Sequence, residues 1–299
     1  MMNFQPLSAT DRAWLAPLFE KANRNARMRD FSFFSLYMWA EICEVETARE
    51  DGICYIRSYD DLLAGPIYAL PHEGEDLLRG VARLQELHPE GFTVRSITPE
   101  TRETLAEHFG AEVLFAALPA EEDYLYFISD LAAFSGRKYA AKRNHIHALL
   151  RDFAVTSEPI GEETLADVRA LHQTYRASGE DEDAEAHYEG DAVDRVLADF
   201  AASGGIGGLL RADDRPVGFF IGEKQGDTLF LHIEKALREV RGAYPMLVRE
   251  TAAAFADCTY ENREEDDGDE GLRRSKQSYC PCGKVVKYRA IFGSGKAKI

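Results

Sequence analysis

The stretch TLFLHIEKALREVRGAYPMLVRETAAAFADCTYENRE, residues 228–264, decides the fold of the C-terminal half of the chain. Thr228–Ala236 alternates between an aliphatic face and a face that carries Phe, His and Glu, which is the pattern of a strand. Ala243–Ala256 is predicted to be a helix, and Cys258–Glu264 is predicted to be a second strand. This half of the chain therefore combines helix and sheet.

The N-terminal half repeats this order of elements. Glu75–Leu87 has Leu and Val at helical spacing, and Phe92–Ile97 has the pattern of a strand. Glu100–Phe109 is predicted to be a helix because it begins after Pro99 and ends at Gly110. Helices and strands that alternate through both halves predict the α+β class, with a mixed α/β architecture.

The length of 299 residues fits two domains at roughly 100–200 residues per domain. We place the N-terminal domain at residues 1–130 and the C-terminal domain at residues 131–299. We expect the first to be a scaffold, because its polar residues form no cluster comparable to those of the second. The acidic stretch GEDEDAEAHYEGD, residues 179–191, is predicted to be a loop.

The composition is that of a globular, acidic protein. Hydrophobic residues make up 45% of the chain and charged residues 29%, which excludes a wholly disordered chain. The formal net charge of −17 repels polyanions, so a nucleic-acid contact requires a local basic patch. We expect a cytoplasmic protein with reduced thiols, since there is no signal sequence, no run of about 18 apolar residues, and the five cysteines are sparse.

Positive charge is concentrated in two segments that contain no acidic residue. Residues 131–151 hold five Lys or Arg, and residues 272–299 hold eight. The two segments predict a defined anion site, whereas the alternative is a charged helix face and a solvated tail. The basic side chains are Arg137, Lys138, Lys142, Arg143 and Arg151 in the first segment, and Arg273, Arg274, Lys276, Lys284, Lys287, Arg289, Lys296 and Lys298 in the second.

Polar side chains share one face of each C-terminal strand. His232 and Glu234 lie two residues apart on the first strand, and Asn262 and Glu264 do so on the second. If the strands are neighbours, these four side chains converge across one groove; the alternative is a polar face exposed to solvent. The loop that follows, residues 262–279, mixes carboxylates with Arg and Lys, as binding loops often do.

No motif for metal or nucleotide chemistry stands out. Cys280-Pro-Cys282 is a single CxC with no second Cys/His pair at ligand spacing, so we predict no metal. The glycine-rich run SGGIGGLL, residues 203–210, leads into a strand and not into a helix, which is the wrong context for a phosphate-binding loop.

Four blocks of the sequence carry a family resemblance. They are DYLYFISDLAAFSGRKYAAKRNHIHALLRDF (123–153), LHIEKA (231–236), GAYPMLVRE (242–250) and YENREEDDGDEGLRRSKQSY (260–279). Together they resemble the bacterial DUF2156 family, which is similar to the C-terminal catalytic domain of phosphatidylglycerol lysyltransferases. The resemblance implies two tandem GNAT-like units, the fold of acyl-CoA N-acyltransferases. It also implies an acyltransferase that moves an aminoacyl group from aminoacyl-tRNA to an acceptor.

Departures from the family pattern shape what we expect of acceptor and cofactor. The lipid-modifying enzymes carry a multi-span membrane domain and this chain has no integral membrane segment, so its acceptor need not be a lipid. We expect an unidentified amine or hydroxyl acceptor, either a lipid or a small molecule. GNAT enzymes that use acetyl-CoA have a (Gln/Arg)-x-x-Gly-x-(Gly/Ala) loop, whose first and last positions here are Glu239 and Tyr244. An acid there repels a pyrophosphate, so we expect no cofactor and disfavour acyl-CoA.

Residue roles follow from the resemblance and from the chemistry of acyl transfer. Glu234 or Glu264 acts as a general base or holds the ammonium group of the donor, with His232 as the alternative base. Arg263 and Tyr279 stabilise the oxyanion or the leaving 3′-hydroxyl. The side chains expected to bind the donor and its phosphates are Lys138, Lys142, Arg143, Asn144, His145, Asn262, Arg273, Arg274 and Lys276.

Two other functions fit the same residues. One is a GNAT-type N-acyltransferase that uses acyl-CoA or another small acyl donor, which stabilisation by CoA would favour. The other is a non-catalytic module that binds a phosphorylated ligand or RNA through the basic segments. Binding that survives the changes Glu234→Gln and Glu264→Gln, without turnover, would favour this module.

Overall fold

The computed structural model describes residues 2–59, 66–177 and 184–293, with the backbone alone for residues 184–187. Up to residue 117, the elements are β1 (Gln5–Pro6), α1 (Arg12–Ala26), α2 (Phe33–Trp39), β2 (Glu46–Glu50), β3 (Ile53–Ser58), β4 (Ile67–Ala69), α3 (Gly74–Leu87), β5 (Phe92–Ile97), α4 (Pro99–Phe109) and β6 (Val113–Ala117). From residue 123, they are β7 (Asp123–Phe127), α5 (Ile128–Ala133), α6 (Ala140–Asp152), β8 (Val155–Pro159), α7 (Leu165–Ala177), α8 (Ala184–Ala198), α9 (Phe200–Ser203), β9 (Ile206–Ala212), β10 (Arg215–Gln225), β11 (Thr228–Ala236), α10 (Ala243–Ala254), β12 (Tyr260–Asn262), α11 (Glu270–Gln277), β13 (Gly283–Val285) and β14 (Tyr288–Phe292).

The chain divides into two compact units, Met1–Asp123 together with Val285–Ile299, and Tyr124–Lys284. Each unit combines a β-sheet of mixed strand direction with helices, so the predicted mixed α/β class is confirmed. None of the helices in the described residues is long and apolar enough to cross a bilayer.

The sheet of the first unit has the strand order β1-β2-β3-β4-β5-β14-β6. Strands β4 and β5 run parallel, and β14 is antiparallel to both of its neighbours. Helix α3 carries its apolar stripe at Leu77, Val81 and Leu84, which are buried in one core with Tyr55 and Tyr68 of the sheet. The helical spacing of that stripe is what its sequence predicts.

Strand β14 returns from the C-terminal end of the chain and completes the first unit. It pairs with β5 on one side and with β6 on the other, and Phe292 stacks on Phe92 with ring centroids 4.8 Å apart. The predicted division had grouped residues 131–299 together. The structure instead assigns β14 to the first unit, because this C-terminal strand lies between β5 and β6 and pairs with both. Such a long-range pairing is not encoded in a local sequence pattern.

A buried cluster, which we call the Lys287 trio, lies just before β14. The trio consists of Lys287, Asp30 and Asp123, and the Lys287 Nζ lies 2.7 Å from a carboxylate oxygen of each aspartate. Asp30 also accepts a hydrogen bond from the Ser96 hydroxyl at 2.9 Å, and Asp123 accepts one from the Arg29 N–H at 2.9 Å. The trio therefore ties the returning segment to the first unit.

The sheet of the second unit has the order β13-β7-β12-β11-β10-β9-β8. Helix α10 connects β11 to the parallel strand β12 and buries much of its surface, including Met246, Leu247 and Val248. Gly242, which precedes α10, has φ +95, and a Cβ there would lie 2.4 Å from the His145 carbonyl oxygen. Only glycine fits this close approach of α10 to α6 without strain.

Strands β11 and β12 part after three paired residues, Thr228–Phe230 against Tyr260–Asn262. Strand β12 ends there, two residues before Glu264 with its left-handed φ of 59°, whereas β11 continues to Ala236. The predicted strand to Glu264 is therefore too long. Parallel strands that part in this way leave an opening, and the polar side chains of both strands lie at it.

The predicted acidic loop is helical in part. Residues 184–191 of the stretch 179–191 belong to α8, and residues 178–183 lie outside the described residues. The helix forms because Val193 and Val196 are fully buried, and because Arg176 of α7 pairs with Asp191 at 2.8 Å.

Candidate active site

The opening between β11 and β12 holds a buried cation between two carboxylates, which we call the Arg263 trio. Arg263 donates from Nη1 to Glu261 Oε1 at 2.9 Å and from Nη2 to Glu234 Oε2. The exposed fractions of the side chains are 10% for Arg263, 0% for Glu261 and 12% for Glu234. Charges from both strands thus meet almost entirely out of water.

The Arg263 trio has two carboxylate groups but only one guanidinium group, so its negative charge is not fully balanced. Among the described residues, Glu234 Oε1 and Glu261 Oε2 are buried and accept no hydrogen bond. Burial raises the pKa of Glu261 from its ordinary 4.5 to about 7, against the attraction of Arg263. A buried acceptor without a donor is costly, so the trio favours a ligand that brings positive charge and N–H groups.

His232 and Glu264 form a second pair in the opening. The His232 Nδ1 lies 2.7 Å from Glu264 Oε1, and the side chains are 0% and 18% exposed. The Glu264 N–H donates to Asn262 Oδ1 at 2.8 Å, and Asn262 is itself fully buried. These contacts fix the backbone where the chain leaves β12, and Glu264 is the more exposed member of the pair.

Tyr279, after α11, forms one wall of the site. Its main-chain oxygen accepts a hydrogen bond from the Tyr139 hydroxyl at 2.9 Å. Lys142 Nζ lies 3.5 Å from the Tyr279 ring centroid and Arg263 Cζ lies 5.3 Å from it. Burial raises the pKa of Tyr279, so the phenol stays protonated, and its hydroxyl makes no hydrogen bond within the described residues. The basic segments 131–151 and 272–299 therefore meet at this residue.

Some of the predicted donor-binding side chains instead hold the loop after β12. Arg273 binds both oxygens of Asp266, at 2.9 and 2.7 Å, and Tyr124 donates to Asp266 at 2.6 Å. The hydrogen bond from Arg273 holds the pKa of Asp266 well below its ordinary value. Lys276 donates to the main-chain oxygens of residues 263 and 264. Arg273 and Lys276 thus act within the protein, since Asp266 is buried and needs its partners.

The basic side chains of α6 and the turn before it differ in exposure. Arg143 donates to the main-chain oxygens of residues 134 and 136 and so supports the turn. Lys138 pairs with Asp130 at 2.9 Å, and about half of each side chain is exposed. Lys138 is therefore accessible to a ligand from solvent, whereas the guanidinium of Arg143 is bound by main-chain oxygens of the preceding turn.

The remaining candidates lie at or near the surface. His145 Nδ1 accepts a hydrogen bond from Arg241 at 3.2 Å, and Asn144 is exposed on α6. Arg274 of α11 is 74% exposed and lies 3.6 Å from Glu270, one turn earlier. Arg274 is the candidate best placed to meet a ligand from solvent. Within the described residues no group of three or more His, Cys, Asp or Glu is arranged to hold a metal ion.

Residues 22–291 match the family described as phosphatidylglycerol lysyltransferase, C-terminal. The chain belongs to this family. Its membership confirms the predicted resemblance, and the coarse activity that it supports is that of a transferase of the acyltransferase kind. A comparison with curated proteins finds no significant match.

Solved structures share the fold of this family member. A conserved protein of unknown function from Bacteroides thetaiotaomicron is 27% identical, with a TM-score of 0.88 over 98% of this chain and 100% of that one. The C-terminal DUF2156 domain of a putative lysylphosphatidylglycerol synthetase from Agrobacterium fabrum is 13% identical, with a TM-score of 0.63 over 93% and 92%. L-PGS from Bacillus licheniformis is 15% identical, with a TM-score of 0.56 over 83% of each chain. These similarities confirm the predicted DUF2156 fold, and the two seven-stranded sheets, one in each unit, fit the predicted tandem GNAT-like arrangement.

In this member of the phosphatidylglycerol lysyltransferase family, Glu261 is a site residue that sequence reasoning did not single out. Its carboxylate binds Arg263, and its burial raises its pKa. The available signal was the spacing of two residues between Glu261 and Arg263, which puts both side chains on the same face of a strand.

Proposed function

We propose that this protein transfers an aminoacyl group from aminoacyl-tRNA to an amine or hydroxyl of a lipid or small-molecule acceptor, at the opening between β11 and β12. The observation that carries the proposal is the Glu234 Oε1 atom, a buried carboxylate oxygen that accepts no hydrogen bond beside a guanidinium already shared with Glu261. Family membership supports an acyltransferase, and the Arg263 trio supports the aminoacyl kind of acyl group.

The charge of the Arg263 trio matches the group that distinguishes an aminoacyl ester from a simple acyl donor. The α-ammonium of an aminoacyl ester carries one positive charge and donates hydrogen bonds, whereas an acetyl group has neither property. Glu234 Oε1 and Glu261 Oε2 are the acceptors for it. Binding would thus balance the trio and give donors to two acceptors, each of which costs about 1–3 kcal/mol while it lacks one.

The transfer step makes one bond and breaks one. The acceptor nitrogen or oxygen bonds the ester carbonyl carbon, and the bond from that carbon to the ribose oxygen then breaks. The proton that the acceptor loses ends on the ribose oxygen. Tyr279 is suited to donate a hydrogen bond to the tetrahedral oxyanion, because its phenol stays protonated and its hydroxyl is not engaged by the described residues.

The tRNA would be bound through cations that face solvent, on the two segments that meet at Tyr279. Lys138 and Arg274 are the exposed candidates, because Arg273 binds the buried Asp266, and Lys276 and Arg143 bind main-chain oxygens. With two phosphate contacts, the logarithm of the binding constant would fall against the logarithm of salt concentration with a slope of about −1.5.

We propose further that acyl-CoA is not the donor. Glu239 stands in the loop before α10 and is 58% exposed, 3.2 Å from Arg215. Its carboxylate therefore stays on the surface that a pyrophosphate would approach. A rise of the thermal unfolding midpoint with CoA or acetyl-CoA would contradict this part of the proposal.

The test is transfer of radiolabelled amino acids from a complete set of aminoacyl-tRNAs to mixed lipid and small-molecule acceptors. Wild type should transfer at least one amino acid, and Glu234→Gln should lower kcat/KM about 100-fold, because the ammonium loses a charged acceptor. Glu163→Gln, the same change at an exposed residue of the second unit, is the matched control and should leave the rate unchanged. Absence of transfer from every aminoacyl-tRNA would overturn the proposal, and an unchanged rate in Glu234→Gln would overturn the role of that carboxylate.

A further inference from the structure

Lys142 of α6 is a cation that contacts the site without an anionic partner. Within the described residues, its Nζ donates to the Ser278 hydroxyl at 2.8 Å and lies 3.5 Å from the Tyr279 ring centroid. No carboxylate forms an ion pair with it there. Arg263 lies over the same ring at 5.3 Å, so two cations share one aromatic side chain.

The charged groups that face Lys142 come from three other elements of the site: Arg263 after β12, Glu234 of β11 and Cys280 after α11. Burial and, to a smaller extent, the charge of Arg263 lower the pKa of Lys142 from its ordinary 10.5 to about 8, against the opposing effects of Glu234 and Cys280. On the side of α6, Lys138 is bound to Asp130. A substantial fraction of Lys142 is therefore a neutral amine at slightly alkaline pH.

We propose that Lys142 is the catalytic base of the transfer: it takes the proton of the attacking amine or hydroxyl and returns it to the departing ribose oxygen. This inference rests on the proposed function. The geometry carries it, because Lys142 and the free Tyr279 hydroxyl stand at the same ring beside the Arg263 trio, with no carboxylate to hold Lys142 as an ammonium.

The proton and electron pairs balance over the two steps. As the acceptor bonds the carbonyl carbon, its proton moves to the neutral Nζ and Lys142 becomes an ammonium. When the tetrahedral intermediate collapses, the electron pair of the breaking C–O bond stays on the ribose oxygen, and the ammonium gives that oxygen its proton. The positive charge of Arg263 favours the return, since it disfavours the ammonium form of its neighbour.

The other titratable side chains of the opening are less suited to this role. Glu234 is bound to Arg263, and His232 has no exposed side-chain surface and is bound to Glu264. Lys142 combines partial exposure with a hydrogen bond to a neutral hydroxyl. It can therefore give and take a proton without breaking a buried ion pair.

A first experiment measures the proton affinity of Lys142 without any activity assay. Reductive methylation with ¹³C-formaldehyde labels the lysines for NMR, and Lys142→Arg assigns the signal by its loss. Lys142 should titrate more than about two pH units below Lys138, which is bound to Asp130 and serves as the matched control. Titration of Lys142 together with the exposed lysines would overturn the inference, whatever the enzyme does.

A second experiment uses the transfer reaction. The kcat/KM of wild type should rise with pH to a plateau, with a midpoint near the NMR value, and Lys142→Ala should lower it about 10²–10⁴-fold. Tertiary amines such as trimethylamine, which form no stable amide, should partly rescue Lys142→Ala, and Lys142→Arg should stay inactive because a guanidinium does not deprotonate. Lys21→Ala, the same change at an exposed residue of α1, should keep the wild-type pH profile.

The outcomes separate the two proposals. Transfer by Lys142→Arg at the wild-type rate, or an unchanged pH profile in Lys142→Ala, would overturn the role of Lys142 and leave the transferase standing. Absence of transfer by wild type from every aminoacyl-tRNA would overturn both.

Discussion

The Lys287 trio of the first unit and the Arg263 trio of the second unit both bury one cation between two carboxylates, yet their surroundings differ. Around the Lys287 trio, the aspartates also accept hydrogen bonds from a serine hydroxyl and a main-chain N–H. Although burial alone would raise it, the positive charges of Lys287, Arg95 and Arg29 hold the pKa of Asp30 well below its ordinary value. In the Arg263 trio, burial prevails and raises the pKa of Glu261 to about 7.

The difference teaches which buried ion cluster can serve a ligand. In the Lys287 trio every carboxylate oxygen has a partner, because one oxygen of each aspartate lies 2.7 Å from Lys287 Nζ and the other accepts a hydrogen bond. The trio therefore serves to hold the fold. The Arg263 trio has two carboxylate oxygens that accept no hydrogen bond from the described residues, so it has capacity for an added cation. The first unit as a scaffold and the second as the catalytic unit remains our prediction, and the two trios fit it.

The largest expected effect is the loss of the cation in the Lys287 trio. Lys287→Met leaves two buried carboxylates unbalanced, and we expect the free energy of unfolding to fall by about 3–5 kcal/mol at pH 7, measured with urea. Lys21→Met, the same change at an exposed residue of α1, should alter it by less than about 0.5 kcal/mol. Equal effects of the two changes would show that the trio does not hold the fold.

The next largest expected effect is the loss of one carboxylate charge, which should change the free energy of unfolding in opposite directions in the two trios. Glu261→Gln should raise the free energy of unfolding at pH 8 by about 2 kcal/mol, because the raised pKa of Glu261 means that its charged form is disfavoured in the folded protein. A carboxyl with a raised pKa stabilises the fold fully below its unfolded value of 4.5 and loses that contribution as the pH rises through about 7. The gain of Glu261→Gln should therefore vanish towards pH 4.5.

Asp30→Asn is the matched change in the Lys287 trio. The lowered pKa of Asp30 means that its charge is favoured in the folded protein, so the substitution should lower the free energy of unfolding at pH 7 by about 2 kcal/mol or more. Urea unfolding from pH 4.5 to 8 measures both variants. Effects of the same sign would remove the distinction between the two trios.

A third effect concerns the cation beside the Arg263 trio. Lys142→Met should raise the free energy of unfolding at pH 7 by about 1 kcal/mol. A fully buried lysine would give roughly 1.4 kcal/mol for each unit by which its pKa is lowered, but the effect is smaller here because Lys142 is partly exposed. For a base with a lowered pKa, the cost is constant below about 8 and disappears as the pH rises to 10.5.

Urea unfolding from pH 7 to 10.5 follows this effect, and Lys138→Met is its control. Lys138 has an exposed carboxylate partner, so its replacement should change stability by less than about 0.5 kcal/mol and in the destabilising direction. A destabilised Lys142→Met would mean that the ammonium is well accommodated, which would weaken its assignment as a base.

Local patterns in the sequence predicted the parts of the fold that local patterns control. Alternation located β11 at Thr228–Ala236 and β5 at Phe92–Ile97, as the structure has them. The side chains of β5 alternate between buried and partly exposed over most of its length, whereas both faces of β11 are buried and only Glu234 is partly exposed. The return of β14 to the first sheet was not predictable, since its pairing with β5 joins residues about 200 apart in the chain. The local sequence pattern predicts that a segment is a strand, but it does not predict which strand pairs with it.

The candidate site was predictable as a set of residues and not as a set of contacts. The spacing of His232 and Glu234 placed both at the opening, but the left-handed backbone of Glu264 and the binding of Arg263 by two carboxylates depend on the tertiary structure. Arg273 reads as a phosphate ligand in sequence, whereas in the structure a buried aspartate holds it. The charge pattern of the sequence shows where the cationic side chains are, but the buried groups around each cation in the tertiary structure determine what it binds.

The smallest expected effect concerns two adjacent arginines of α11 and extends the comparison to charges at the surface. Arg274→Ala should change the free energy of unfolding by less than about 0.5 kcal/mol, since its contact with Glu270 is an exposed pair. If Arg274 meets a tRNA phosphate, the change should weaken tRNA binding a few-fold and reduce the salt slope by about 0.7, measured by filter binding at several salt concentrations. Arg273→Ala should instead lower stability by about 2 kcal/mol or more, because it leaves Asp266 buried without its guanidinium. If the salt slope stays the same in Arg274→Ala, the tRNA does not contact Arg274. If Arg274→Ala loses as much stability as Arg273→Ala, the exposed charge of Arg274 stabilises the fold, as the charges of the Lys287 trio do.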